Sequence, residues 1–148
     1  ALAFSTDPYG SGIGITFSDS APAAGLAIAT TQRLEPSATA DFSSQQMALD
    51  TSRARILVLF CQQFVAGHFL TTAYEQGVGG PGFLIIGEYG LDLDGGLWKN
   101  EPMLSANSTL RRLVLNGLFS VLPNGQPNTT VYRDYFARRQ RLVAPRSP

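Results

Sequence analysis

Short apolar runs alternate along the chain with longer segments in which apolar residues recur at helical spacing. Three of the runs are continuous and lie near residues 1–6, at Ile56–Phe60 and at Phe83–Ile86. Such runs, rich in β-branched and aromatic residues, are typical of parallel strands that are covered on both faces. Two further runs, Leu26–Thr31 and Leu118–Leu122, also predict strands. The pattern therefore predicts five strands.

The segments between the strands predict helices. In the first of them, Ile13, Phe17 and Ala21 recur every fourth residue and place an apolar stripe on one helix face. Asp41 is predicted to cap the second helix, and Gly77 to end the third in the left-handed conformation. The predicted helices are Gly10–Ala24, Phe42–Asp50, the segment from Phe64 to Tyr74, Leu110–Leu115 and Val131–Leu142.

Strands that alternate with helices imply right-handed crossovers and a parallel sheet. We therefore expect an α/β fold, a doubly wound and mostly parallel five-stranded sheet with helices on both faces. The common strand order 2-1-3-4-5 is expected for such a sheet. A length of 148 residues suffices for one domain. Residues 1–142 are assigned to a single α/β lobe and residues 143–148 to a tail.

Polar residues follow three of the predicted strands directly. In open α/β sheets, ligands bind at the carboxyl ends of the strands, near the point where the strand order reverses. With the order 2-1-3-4-5 this point lies between the first and third strands. The residues predicted to bind a ligand are Asp7, Tyr9, Cys61, Gln62, Glu88 and Tyr89. The pattern alone predicts a ligand cleft and leaves its chemistry open.

Charge and composition narrow the class of partner. Eleven basic and eleven acidic residues cancel, so no summed field attracts nucleic acid or an anionic membrane. No run approaches the roughly 20 apolar residues that span a bilayer. The single cysteine excludes an internal disulfide bond. Asn107 and Asn128 begin sequons and are candidate glycosylation sites if the chain is secreted.

Few residues in the sequence support catalysis or the binding of a cofactor. Cys61 and His68 are the only thiol and imidazole, and helix geometry separates them by about 10 Å, too far for a catalytic pair. The glycines of Gly10–Gly14 lack the spacing of the dinucleotide fingerprint, although a flavodoxin-like nucleotide binder stays an alternative. Asp92–Gly96 lacks the ligands of an EF-hand. We expect no enzyme, no cofactor and no metal.

Several segments together resemble the receptor-family ligand-binding region, a type I periplasmic-binding fold shared by bacterial amino-acid-binding proteins, natriuretic-peptide receptors and class C G-protein-coupled receptors. The resemblance covers nearly the whole chain and is closest to the membrane-proximal lobe. It is carried by Thr6–Gly10, Asp41–Ser43, Ala54–Cys61, Phe69–Gly77, Gly82–Gly87, Leu115–Pro123 and Tyr132–Phe136.

The resemblance implies one lobe of a two-lobed clamshell that closes on a small ligand. The parent protein would then be a membrane receptor with this lobe outside the cell or at its surface, possessing a second lobe and able to form homo-oligomers. Tyr9 matches the tyrosine that faces a ligand ammonium group in amino-acid-binding relatives, where a cation–π contact forms. The expected ligand is therefore amino-acid-like or cationic.

One position departs from the pattern of the amino-acid-binding relatives. These relatives often carry an Asp after the fourth strand, in a Gly-Ser-Asp-like turn, where the aspartate pairs with the ligand ammonium. Here Gly87, Glu88 and Tyr89 stand in that turn, and Tyr89 takes the place of the aspartate. This departure motivates an alternative function, a lobe that has lost its small ligand and retains a protein-binding surface.

Overall fold

The computed structural model describes residues 1–37, 39–87 and 101–121, and the structural statements below concern these residues. This part of the chain contains five strands and five α-helices, with two consecutive helices before the last strand, and a 3₁₀ turn at Pro22–Ala24 follows the first helix. The strands are β1 (Leu2–Ser5), β2 (Thr31–Leu34), β3 (Ile56–Phe60), β4 (Leu84–Gly87) and β5 (Leu118–Ser120). The helices are α1 (Pro8–Ser20), α2 (Ser43–Ser52), α3 (Gln63–Glu75), α4 (Pro102–Ala106) and α5 (Ser108–Val114).

All five strands pair in parallel, in the order β2-β1-β3-β4-β5. The predicted α/β class and strand order are therefore confirmed. In the register, Phe4 of β1 lies beside Phe60 of β3, and Leu59 of β3 lies beside Gly87 of β4. These three neighbouring strands consequently end close to one line across the sheet, and the residues that follow them emerge at a common edge.

The two faces of the sheet are packed differently. Successive side chains of a strand point to opposite faces, and in β3 the side chains of Leu57 and Leu59 join one buried cluster while Phe60 joins another. The first cluster packs against α2, α3, α4 and α5. The second is smaller, and its helical partners are Ile13 and Phe17 of α1.

Helix α1 lies unusually close to β1 because two of its residues lack a Cβ atom. A Cβ built on Gly10 would stand 2.6 Å from the Ser5 carbonyl oxygen, and one built on Gly14 would stand 2.3 Å from Cγ of Phe4. Carbon atoms in contact prefer separations near 3.5–4.0 Å. No side chain fits at either position without a shift of the helix or the strand.

The prediction for the second strand was wrong by several residues. It placed the strand at Leu26–Thr31, whereas β2 is Thr31–Leu34 and pairs with β1 from Leu2↔Thr31 onward. β2 is the edge strand of the sheet and its side chains are mainly polar, so its hydrophobic signal is weak. Leu26 is instead 53% exposed and precedes the strand.

The helix boundaries differ from the predicted ones for local reasons. α1 begins at Pro8 and ends at Ser20, since Pro22 starts a 3₁₀ turn that Gly25 closes with a φ of 74°. Asp41 was predicted as the N-cap of α2, but the N-cap is Phe42 and the Asp41 carboxylate accepts hydrogen bonds from the amide and hydroxyl of Ser43. Gly77 does adopt the expected left-handed conformation, with a φ of 76°.

Helices α4 and α5 were only partly predicted. The pattern indicated Leu110–Leu115, whereas α5 starts earlier at Ser108, and α4 was missed because it is only five residues long. Strand β5 ends at Ser120, two residues before the predicted end. The predicted helix Val131–Leu142 and the tail 143–148 lie outside the described residues.

Candidate functional site

The candidate site is the edge of the sheet at which β1 and β3 end and α1 and α3 begin. Two residues separate β1 from α1, and two separate β3 from α3. Because β1 and β3 are paired neighbours, both connections lie side by side at the carboxyl edge. We call this edge the binding rim, defined by Asp7, Tyr9, Cys61 and Gln62. Its position agrees with the crevice that open α/β sheets use for ligands.

Asp7 organises the β1 side of the binding rim as the N-cap of α1. Its Oδ1 accepts hydrogen bonds from the amides of Tyr9 at 2.9 Å and Gly10 at 3.1 Å, and its Oδ2 accepts one from the hydroxyl of Ser5. Partial burial alone would raise the pKa of the Asp7 carboxyl, but these hydrogen bonds outweigh it and the pKa lies below its ordinary value. The carboxylate is therefore ionised at neutral pH and held in place.

Tyr9 and Gln62 are the members of the binding rim that reach solvent. Tyr9 lies in the first turn of α1 and is 41% exposed. Gln62 is the exposed N-cap residue of α3, and its side chain makes no capping hydrogen bond. The exposed side chains of the rim therefore combine an aromatic ring with an amide, next to the start of α3.

Cys61 occupies a different environment from its neighbour Gln62. It is fully buried, and its side chain belongs to the apolar cluster that packs beneath α2 and α3. Its backbone still contributes to the rim, but its thiol faces the protein interior. Burial in apolar surroundings is the ordinary situation of a structural cysteine.

Glu88 and Tyr89 lie outside the described residues, and the structure therefore brings together only the four predicted residues of β1 and β3. Gly87, the last residue of β4, is described and lies beside Leu59 of β3.

Ser5 was not predicted as a site residue, although its side chain supports Asp7 of the rim. Ser5 is completely buried at the end of β1. Its hydroxyl donates to Asp7, and its carbonyl accepts a hydrogen bond from the Ser11 hydroxyl at 3.3 Å. A serine two residues before a helix-capping aspartate is the signal that could have revealed it, since Ser and Asp side chains commonly bond to each other and to nearby backbone at turns.

The glycines near the rim are used for packing. Gly10 and Gly14 are buried inside α1 against β1, and only Gly12 faces open space. Glycines that cradle a phosphate lie in a loop ahead of the helix, with their amides exposed to the ligand. This placement removes the main sequence argument for a nucleotide.

His68 lies on α3 and contacts the segments that precede α2 and α4. Its Nε2 is 3.1 Å from the carbonyl oxygen of Ala40, and its Nδ1 is 3.9 Å from a carboxylate oxygen of the buried Glu101. Within the described part of the chain, no group of three or more His, Cys, Asp or Glu side chains could hold a metal ion.

One of the two candidate glycosylation sites lies at the start of α5. Asn107, the first residue of a predicted sequon, is exposed and caps α5 by accepting a hydrogen bond from the Leu110 amide at 2.9 Å. Asn128 lies outside the described residues.

Of the helices in the described ranges, none combines the length and the apolar character that crossing a bilayer requires.

Comparison with known families identifies the chain. The model of the receptor family ligand binding region matches residues 1–144. The chain belongs to this family. None of the curated proteins matches the sequence. The membership confirms the resemblance drawn from the motifs and, together with the five-stranded parallel sheet, the assignment of the fold as one periplasmic-binding-protein-like lobe.

As a receptor-family ligand-binding region, the chain is a receptor module of the ligand-binding kind. The binding rim lies where a lobe of this architecture presents its strand ends. Membership in the family does not specify the ligand, because the side chains at the rim determine the chemistry that a lobe recognises.

Proposed function

We propose that this lobe binds a small cationic or amino-acid-like ligand at the binding rim and signals by closing against a second lobe of the parent receptor. The single observation that supports this most is the arrangement at the end of β1, where an exposed Tyr9 ring stands beside an ionised Asp7. A ligand that bridges two lobes favours the closed state by its higher affinity for that state.

The roles of the rim residues follow from their surroundings. Tyr9 offers an aromatic face to a ligand ammonium group, a contact that contributes roughly 0.5–2 kcal/mol. Asp7 acts as a positioning residue, because its carboxylate is engaged with Ser5 and the start of α1. Gln62 supplies a hydrogen-bonding amide from the β3 side. Glu88 and Tyr89 are proposed to contribute from the turn after β4.

The proposed module performs no covalent chemistry. Supporting this proposal, the Cys61 thiol is buried and the His68 imidazole is directed at Ala40 and Glu101. We place the module outside the cell or at its surface as part of a membrane receptor, with glycans on Asn107 and Asn128 and with homo-oligomers formed through the parent chain. Its binding requires no cofactor.

Isothermal titration of the two-lobed parent with amino acids and small organic cations tests the assignment. Tyr9→Ala is expected to weaken binding by about two- to thirtyfold, the equivalent of the cation–π contribution. Tyr9→Phe retains the ring and should bind nearly as the parent does. Met47→Ala, at a 70% exposed position on α2, is the matched surface control. Equal affinity of the Tyr9→Ala protein and the parent would remove Tyr9 from the site.

The departure at Glu88 and Tyr89 favours a second candidate function, a lobe that retains only a protein-binding surface. The two candidates predict different thermal behaviour of the parent. A ligand-binding lobe gains stability with a saturating ligand, because binding to the native state alone raises the unfolding free energy. A parent that shows no thermal shift with a small-molecule library, yet forms a stable complex with a purified partner protein, would support the second candidate.

A further inference from the structure

The turn between α5 and β5 contains an asparagine that is followed directly by a glycine. Helix α5 ends at Val114 and β5 begins at Leu118, and Asn116 and Gly117 lie between them. Asn116 is exposed, and its side chain makes no hydrogen bond to any other residue that the structure describes. The side-chain amide is therefore in contact with solvent and free to rotate toward the main chain.

The backbone of this turn requires a glycine at position 117. Its φ is 80°, in the left-handed region that glycine adopts without strain. A Cβ atom at this position would also stand 2.1 Å from the carbonyl oxygen of Phe83, the residue before β4. The turn thus excludes residues with a side chain, and the peptide nitrogen next to Asn116 has no Cβ to shield it.

The peptide nitrogen of Gly117 is also free of a competing hydrogen bond. The amides on either side are engaged, because Asn116 donates to the Leu113 carbonyl at 3.3 Å and Leu118 donates to the Leu115 carbonyl at 3.1 Å. Between them, the Gly117 amide donates no hydrogen bond within the described ranges. No internal contact of this nitrogen has to break before it can react.

Asparagine is one of the thermolabile residues of proteins, and its reaction with the following residue requires only water. The Gly117 nitrogen loses its proton and attacks Cγ of Asn116. A bond forms between these two atoms, the bond from Cγ to the side-chain nitrogen breaks, and ammonia leaves with the proton. Water then opens the cyclic imide at either carbonyl. Opening at Cγ gives aspartate, and opening at the main-chain carbonyl carbon gives isoaspartate, without any change in oxidation state.

We infer that Asn116 is a site of spontaneous deamidation, and that its isoaspartate product weakens the pairing of β5 with β4. The Gly117 carbonyl accepts a hydrogen bond from the Ile85 amide at 2.9 Å, and Leu118 lies beside Ile85 in the register. Isoaspartate lengthens the main chain by one carbon atom immediately before this bond. Strand β5 has only three residues and lies at the edge of the described sheet, so few other bonds hold it in place.

Peptide mapping of the full chain, produced without glycans and incubated in mildly alkaline buffer, tests the modification. Asn107 is the internal control, because it is also exposed but its side-chain oxygen accepts a hydrogen bond from the Leu110 amide at 2.9 Å. We expect Asn116 to be converted at least about fivefold faster than Asn107, the factor by which a capping contact alone holds back the control. Equal conversion at the two positions would overturn the inference.

A second comparison separates the effect of the structure from that of the dipeptide. Asn124 also precedes a glycine and lies outside the described residues, so chymotrypsin, which cleaves after Phe119, is used to place the two asparagines in different peptides. Native Asn116 is expected to react within about tenfold of its rate in the urea-unfolded chain, because it needs no local opening. Asn116 that stays intact in the native protein while the unfolded chain reacts would overturn the inference.

Hydrogen exchange followed by NMR measures the effect on the sheet. In chains with isoaspartate at position 116, the Ile85 amide is expected to exchange at least about tenfold faster than in fresh chains. The Val58 amide, which donates to the Ala1 carbonyl on the other side of β3, should be unchanged.

Asn116→Gln is the matched variant for this measurement. It retains a side-chain amide, but its longer side chain would have to close a larger ring. After the same incubation, its Ile85 amide should exchange as in the fresh protein. Unchanged exchange of Ile85 in the isoaspartate-containing chains would overturn the inference, as would equally accelerated exchange in the incubated Asn116→Gln protein.

Discussion

Replacement of Gly14 by alanine tests how closely α1 packs on β1. The added Cβ would stand 2.3 Å from Cγ and 2.8 Å from Cβ of Phe4, a side chain that is only 3% exposed. These atoms are near the root of the Phe4 side chain, so a rotation of the ring cannot relieve the contact, and the helix and strand must separate. The substitution therefore disturbs backbone positions and not merely a side chain.

The expected magnitude is the difference between two opposing effects. Overpacking of a close-packed interior costs typically 1–3 kcal/mol, and a clash this short belongs at the upper end, about 3 kcal/mol. Alanine in a helix interior is favoured over glycine by about 1 kcal/mol. Gly14→Ala is thus expected to lower the unfolding free energy by about 2 kcal/mol, equivalent to a fall in Tm of about 4–8 °C for a chain of this size.

Gly12→Ala is the matched control on the same helix. Gly12 is exposed, and a Cβ there would meet nothing within 4 Å. Only the helix preference then acts, and the unfolding free energy should rise by about 0.5–1 kcal/mol. Urea unfolding followed by circular dichroism measures both variants, and an unchanged m value shows that the unfolded state is comparable. A Gly14→Ala protein as stable as Gly12→Ala would refute the close approach of α1 and β1.

Two further predictions concern polar contacts. Asp7→Ala is expected to cost about 1 kcal/mol at neutral pH by removing the cap of α1. Because the folded-state pKa of Asp7 lies below its ordinary value, this stabilisation is present above about pH 4 and is lost as the pH falls through the folded-state pKa. Urea unfolding at several pH values should show the two proteins converging in acid, and a constant difference would contradict the linkage. The second prediction concerns Gln46, which is buried and donates to the Thr72 hydroxyl at 2.6 Å. Thr72→Val should cost about 1–3 kcal/mol by leaving that amide short of an acceptor, and the double change with Gln46→Leu should recover much of the loss. Additive costs in a double-mutant cycle would show that the two side chains act independently.

The positions of three strand ends, on which the candidate site depends, were predicted well. Apolar runs located β1, β3 and β4, and the parallel order then placed the residues after β1 and β3 side by side. Exposure could not be predicted in the same way. Cys61 and Gln62 are adjacent in sequence, yet one is fully buried and the other is exposed, because the last buried position of a strand is decided by the helices that pack over it.

Side-chain contacts between distant segments also could not be predicted from the sequence. Nothing local to Gln46 indicates that it bonds to Thr72, and nothing local to His68 indicates that it reaches Ala40 and Glu101. These contacts form only when the helices of one layer are brought together. The edge strand β2 was misplaced for a related reason, since its pairing with β1 outweighs a local pattern that favours Leu26–Thr31.

The sequence by itself determined most of the succession of strands and helices and the parallel direction of the sheet, because both depend on local apolar patterns and on the general handedness of crossovers. It also indicated the family, through particular residues that resemble the family's motifs. Only the tertiary structure decided which glycines of α1 pack against β1 and which rim side chains meet solvent. These properties depend on distances between segments far apart in the chain, and such distances follow from how the whole set of elements packs.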